Sequence, residues 1–224
     1  MKSFDAMTSA PATPKPPDLP SELEAAAFGD GPLSGLELSR VALGPEDVSD
    51  RVASDLRLEE ATLRGVDLTG THAPGASLTD VLVTDGSWAN TVFSRGTVTR
   101  VRATGLRATG VELAEAHLHD VVFEDCRLDL SALRFARLER VVFRDCRLEE
   151  ADLHGATLTS VLFERSNLSG ATVAAANFER CEVRGCELEG LQGADRLRGV
   201  RMPWPDVVQI AGLLAGTVGI EIVD

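Results

Sequence analysis

The 224 residues are 25% charged, 44% hydrophobic and only 4% aromatic, a composition that describes one large folded domain, or at most two, and excludes a disordered chain. Thirty-five acids against 22 Lys and Arg give a net charge of −13, which disfavours free nucleic acid and anionic membranes as direct partners. No basic stretch followed by an apolar run opens the chain. The longest apolar run, Val207 to Ile222, is interrupted by Gln209 and Glu221 and is shorter than the roughly 20 residues of a membrane helix. No membrane partner and a cytoplasmic location are therefore expected.

Residues 1–20 hold five of the ten prolines and are expected to form a disordered or extended Pro-rich tail. Ser21 opens SELEAAAFG, where a Ser cap, a Glu at the third helical position and Gly29 as terminator predict a capping helix over 21–30.

From Ala61 to Gly190 the chain divides into 26 five-residue blocks without a slip. The third residue of every block is apolar, as in Leu63, Leu68, Leu78, Trp88, Phe93 and Leu188, and the first is small or aliphatic, Leu106 being the single Leu. None of these positions is charged, so the division into inside and outside is not accidental. Two inward residues in every five fit neither a helix nor an alternating strand. They fit a solenoid that turns a corner every block. Nine of the fifth positions are Gly and six are Asp or Asn, residues that tolerate the positive φ such corners demand.

A 20-residue period lies on top. VVFEDCRLDL at Val121, VVFRDCRLEE at Val141 and VLFERSNLSG at Val161 predict four blocks per coil, with Phe123, Phe143 and Phe163 stacked at roughly the 4.8 Å strand spacing. The blocks around Val98, Ala103 and Ala108 have small central residues, so that coil is expected to be underfilled, with Leu106 as compensation and Trp88 occupying the space beside Ala108.

These blocks resemble the pentapeptide-repeat family, whose motif A(D/N)LXX is matched nearly letter for letter by ADLHG at Ala151 and SNLSG at Ser166. The resemblance implies an all-β fold, a right-handed quadrilateral β-helix. With the register extended upstream through Leu33, Leu38, Leu43 and Leu58, the solenoid is expected to span 31–190 in about eight coils, with short helical caps at both ends. Glu46 and Arg51 fall in inward slots, where a charge is costly, so an interruption is expected at 44–52. Residues 191–224 form the other end: Val207, Ile210, Leu213 and Leu214 have helical spacing and are expected to cap the last coil or pair two copies as a homodimer, while Val218, Ile220 and Ile222 alternate as in a strand.

Chemistry is sparse. Cys126, Cys146, Cys181 and Cys186 occupy inward slots and read as core. His117 and His119 flank an inward Leu118 without a convergent third ligand, which makes a weak metal site; no cofactor, metal or catalytic residue is assigned, and a non-enzymatic protein is expected. Two outward features stand out. Leu82, Val122, Val142 and Leu162 form an apolar stripe where polar residues would normally sit, and Leu130 and Phe135 occupy adjacent corners; both suggest a protein partner or a covering segment. The second feature is acidic. Members of the resembling family that confer quinolone resistance mimic double-stranded DNA on a type II topoisomerase such as gyrase, and Asp67, Asp129, Glu149, Glu150, Glu187 and Glu189 mark the most acidic face here. That face carries a net charge of −3, whereas DNA of about 31 Å carries roughly 18 phosphate charges. A rigid protein-interaction scaffold is accordingly the preferred function, and a DNA mimic binding a topoisomerase the alternative.

Overall fold

The computed structural model describes residues 9–222. Twelve strands form one parallel sheet that winds on itself: β1 (Glu24–Ala26), β2 (Glu37–Ser39), β3 (Val41–Leu43), β4 (Arg57–Asp67), β5 (Ser77–Ser87), β6 (Thr97–Thr104), β7 (His117–Glu124), β8 (Arg137–Arg144), β9 (Thr157–Thr159), β10 (Leu162–Glu164), β11 (Asn177–Glu179) and β12 (Glu182–Arg184). From β2 to β12 paired strand residues lie 20 positions apart, as in Leu118 with Leu138 and Phe123 with Phe143, whereas β1 pairs with β3 at an offset of 17. The four-block coil is therefore the physical unit. Its hydrogen bonds run to the coils on either side, so each coil supplies what its neighbour's edge lacks.

The inward positions carry the core. Leu63, Leu118, Leu128, Leu133, Leu138, Leu148, Leu153 and Leu158 are all buried, and so are the four cysteines. Phe123, Phe143 and Phe163 stack with ring centroids 5.2 and 5.1 Å apart and planes within 7°. Every fifth position from Gly65 to Gly190 has positive φ. That includes Arg, Glu, Leu130 (φ 59) and Phe135 (φ 57), so the coil imposes the left-handed corner even on residues for which it costs about 1–2 kcal/mol.

At the N-terminal end three expectations are corrected. Residues 21–30 form no helix: β1 pairs with β3 in parallel, because an open parallel edge needs a strand beside it. Phe28 and Leu33 continue the inward register and are buried. The coil is not interrupted at 44–52 either. Val48 and Ala53 are buried in register, and Asp47 and Val52 bridge to Asp67 and His72. Glu46 and Arg51 are tolerated because the chain below them is a loop with free backbone groups: the Glu46 carboxylate accepts from the amides of Phe28 (2.8 Å) and Gly29 (2.9 Å), and Arg51 donates to the carbonyls of Gly29 (2.7 Å) and Gly31. Finally, residues 9–20 of the expected disordered tail lie along the solenoid; residues 1–8 of it fall outside the described residues.

At the other end the ladder runs past Gly190 to Arg201, whose carbonyl accepts from the Val183 amide (2.9 Å). Two short helices follow, α1 (Trp204–Gln209) and α2 (Ala211–Thr217). Val218, Ile220 and Ile222 form no strand; the Ile220 amide instead closes the end of α2 on the Ala215 carbonyl (3.0 Å). Among the described residues no helix is long and apolar enough to cross a membrane.

Candidate functional site: the outward faces

The apolar stripe is continuous in register from Val122 to Leu162. Val122 of β7 lies beside Val142 of β8, which lies beside Leu162 of β10, while Arg102 of β6 separates Val122 from Leu82 of β5. It is not open. Residues 13–17 cross Val122 and Val142, enclosing with Val101, Arg102 and Arg144 a space of about 170 Å³, and Val142 is buried. The Pro-rich segment thus occupies the surface expected to receive a partner.

Charged columns flank the stripe. On one margin the corner residues alternate as Asp80, Arg100, Asp120 and Arg140, with Arg100 forked onto Asp80 (2.6 and 2.5 Å) and Arg140 onto Asp120 (2.6 and 3.1 Å). The Arg100 hydrogen bonds hold the Asp80 carboxyl below its ordinary range, helped by the Asp18 amide. Burial opposes ionisation of Asp120, but Arg140 and the Lys15 amide outweigh it and hold that carboxyl low as well. On the other margin Arg102 meets Glu124 (2.6 Å), and Glu164 joins Arg144 (2.7 Å) to Arg184 (2.6 Å).

Leu130 and Phe135 stand apart from the strap. They are 57% and 56% exposed. The Phe135 ring meets His154 edge-on, centroids 5.7 Å apart, and lies across Gly155, where a Cβ would come within 2.5 Å of the ring. Gly155 therefore holds the aromatic ring flat on the coil surface.

The six acids expected to mimic DNA do not form one continuous track, although Asp129, Glu149 and Glu189 share a column in which Ser169 separates the last two. Asp67 and Glu187 share the neighbouring column, which continues from Asp67 to Asp47, and between them that column holds Ser87, Arg107, Arg127, Arg147 and Asn167. Arg147 also contacts Asp129 (3.6 Å) and Glu149 (3.2 Å), so three consecutive guanidinium groups interrupt the most acidic face.

Of the four residues expected to pair two copies, Ile210 is fully buried and plugs the last coil, Leu214 packs partly against the core, and Val207 is half-buried. Only Leu213 is exposed, together with Trp204 (75%) and Val208. The α1 face that satisfies the helical pattern is thus turned inward, and its neighbouring positions make the outer surface.

Candidates for chemistry are occupied structurally. His119 lies between Asp120 (3.2 Å) and Glu139 (3.3 Å) and against Arg140, while His117 is exposed. Burial pushes the Cys186 thiol up to about 11 and the Cys181 thiol in the same direction, away from the reactive thiolate. Among the described residues no group of three or more His, Cys, Asp or Glu is placed to hold a metal.

A pentapeptide repeat region is matched over residues 97–173. Among solved structures, the chain is similar to HetL, a pentapeptide repeat protein involved in heterocyst differentiation regulation from the cyanobacterium Nostoc sp. strain PCC 7120, at 17% identity over 79% of this chain and 94% of that one, with a TM-score of 0.36. It is also similar to full-length QnrB1, a plasmid-mediated fluoroquinolone resistance protein, at 18% identity over 80% of this chain and 100% of that one, with a TM-score of 0.37. No curated protein matches the sequence. Residues 97–173 are thus a pentapeptide repeat region, and the same five-residue register and parallel coil continue on both sides of it.

Proposed function

We propose that the protein is a non-enzymatic interaction scaffold, a rigid solenoid that presents the Leu130 and Phe135 corners to a protein partner. The observation that carries this reading is the pairing of exposure with conformation. Two large apolar side chains stand more than half exposed at left-handed corners that most simply take Gly or Asn. Burial does not account for them, the contacts of Phe135 with His154 and Gly155 leave most of its ring uncovered, and recognition by a partner would bury both side chains. The outer face of α1 and α2, with Trp204, Val208 and Leu213, supports a second contact, the pairing of two copies.

Affinity capture after in-cell crosslinking, comparing wild type with Leu130→Asn/Phe135→Asn, tests the scaffold. The expected result is a partner recovered by the wild type and lost from an equally stable variant; equal recovery overturns the assignment of that surface. The interrupted acidic face argues against a DNA mimic. A supercoiling assay with a type II topoisomerase at two salt concentrations decides that alternative, because salt-sensitive inhibition that is lost in Glu149→Gln/Glu150→Gln/Glu189→Gln would restore it.

A further inference from the structure

We propose that the Leu82 to Leu162 stripe is a binding groove for proline-rich segments in the polyproline II conformation, and that residues 9–20 are its intramolecular occupant. A proline-rich segment of another protein is then the ligand the groove fits. This site lies on a different face from Leu130 and Phe135, so it stands or falls independently of the scaffold surface.

The argument is one of matched periods. Pro11, Pro14, Pro17 and Pro20 recur every third residue and are half-buried, whereas Ala12, Thr13, Lys15 and Pro16 between them are exposed. Three residues per turn is the repeat of polyproline II, so the four prolines share one face. The backbone is pinned at the same interval: the Lys15 amide donates to Asp120 (3.0 Å) and the Asp18 amide to Asp80 (2.8 Å). Three residues of polyproline II advance about 9.3 Å, and two coils of the solenoid about 9.6 Å. Asp80 and Asp120 are two coils apart. The strap and the acidic corners are thus commensurate, with the strap running toward the earlier coils.

Asp80 and Asp120 are the two acids of this corner column that the strap amides reach. Each is buried, 5% exposed at Asp80 and 2% at Asp120, and each is oriented by the Arg of the coil above. A polyproline II ligand has no internal hydrogen bonds, so its free amides need acceptors once they leave water. The groove supplies one every third residue, and Val122 and Val142 supply an apolar floor for the rings. Recognition reads a backbone amide and a proline face; it requires no particular side chain in between.

Ser160 occupies the next position of the acceptor column. It shares the left-handed backbone of Asp80 and Asp120 (φ 56 against 54 and 57) and lies below Arg180 (3.5 Å) as they lie below Arg100 and Arg140. It stands at the register of Ala12, three residues before Lys15. An Asp there would add a third acceptor.

The test uses two full-length chains, wild type and one whose residues 9–20 are replaced by a Gly/Ser sequence of equal length, with circular dichroism confirming that both are folded. The probe is a fluorescein-labelled peptide of residues 9–20, and a version with its prolines changed to Ala is the control. The expected result is saturable anisotropy with the replaced chain, at least tenfold weaker with wild type because the tethered strap competes at high effective concentration. Ser160→Asp in the replaced chain should tighten binding severalfold, and Asp120→Asn should weaken it. Failure of the peptide to bind the folded, replaced chain, or equal binding to both chains, overturns the proposal. Should the replaced chain not fold, hydrogen exchange on wild type decides: the Lys15 and Asp18 amides should exchange more than tenfold more slowly than those of Ala12 and Thr13, and equal rates refute the strap.

Discussion

Leu106→Ala should be among the most destabilising single truncations in the solenoid. Leu106 is 1% exposed and the only Leu in a first position between Ala61 and Gly190. It lines an apolar cavity of about 20 Å³ with Trp88, Phe93, Ala103 and Ala108. Removing three carbon groups from the core costs about 2.4 kcal/mol at about 0.8 kcal/mol each. The vacated space then joins a cavity that already exists, in a coil whose neighbours are too short to close it, adding on the order of 1–2 kcal/mol. The expected total is about 3.5–4.5 kcal/mol, read from chemical denaturation followed by circular dichroism. The converse substitution, Ala103→Val, places methyl groups in the same void between Val83 and Phe123 and should be neutral or stabilise by up to about 1 kcal/mol. A loss below about 0.5 kcal/mol for Leu106→Ala would refute the packing argument, because no residue that fills the coil could be removed so cheaply.

Gly155→Ala should cost about 1–3 kcal/mol, since the new Cβ meets the Phe135 ring and the position has φ 67; Phe135→Ala in the same chain should recover the steric part, and strict additivity in the double-mutant cycle would exclude the contact. Stability should be level from about pH 5 to 8 and fall as the pH drops below about 4. The carboxyls of Asp80, Asp120 and Glu164 are held low in the fold by their Arg partners, so the unfolded chain takes up more protons there and the stabilisation, present above the unfolded value near 4, is lost as the folded groups titrate. Denaturation midpoints across that range measure it, and a maximum at pH 3 would refute it. Ile210→Ala should cost about 2–5 kcal/mol by unplugging the last coil, whereas Val208→Ser should leave the denaturation midpoint within about 0.5 kcal/mol of wild type and alter only the mass measured by light scattering.

What could be read from the sequence follows from how local each constraint is. The inward residues face only their own kind above and below, so five-residue spacing alone separates Leu118 from His117, and the 20-residue match alone stacks Phe123 on Phe143. The underfilled coil was legible for the same reason: Val98, Ala103 and Ala108 are short wherever the chain goes. The ends were not legible by that rule. An inward slot rejects charge only when covered on both sides, and Glu46 and Arg51 have beneath them a loop with amides and carbonyls to satisfy. Composition likewise misread the tail. Pro-rich segments rarely bury enough surface to order themselves, but this one orders against a margin whose acceptors share its period, a signal visible only when Pro11, Pro14, Pro17 and Pro20 are set beside Asp80 and Asp120. That Ile210 and Leu214 face the coil was not legible either, because helical spacing identifies an apolar stripe without saying whether it meets the coil or solvent.

The two ends of the solenoid solve one problem by similar means. A parallel coil leaves a row of unpaired backbone groups at each end, and an uncovered row invites the next molecule. At the C-terminal end Asp206, itself buried, accepts from the Gly185 amide (2.6 Å) where a further coil would have offered a carbonyl. Gln209 donates to the Cys186 carbonyl (3.1 Å), and Ile210 fills the core between them. At the N-terminal end Glu46 and Arg51 reach down to a loop rather than up to a coil. Polar side chains thus finish the hydrogen bonding that the repeat leaves open. The strap extends the same logic along the side of the rod: Asp80 and Asp120 stand at corners where Gly would suffice, and their carboxylates hold a segment that belongs to no coil. Leu130 and Phe135 differ from these in being large apolar corner residues that nothing among the described residues covers, which is what the proposed partner surface rests on.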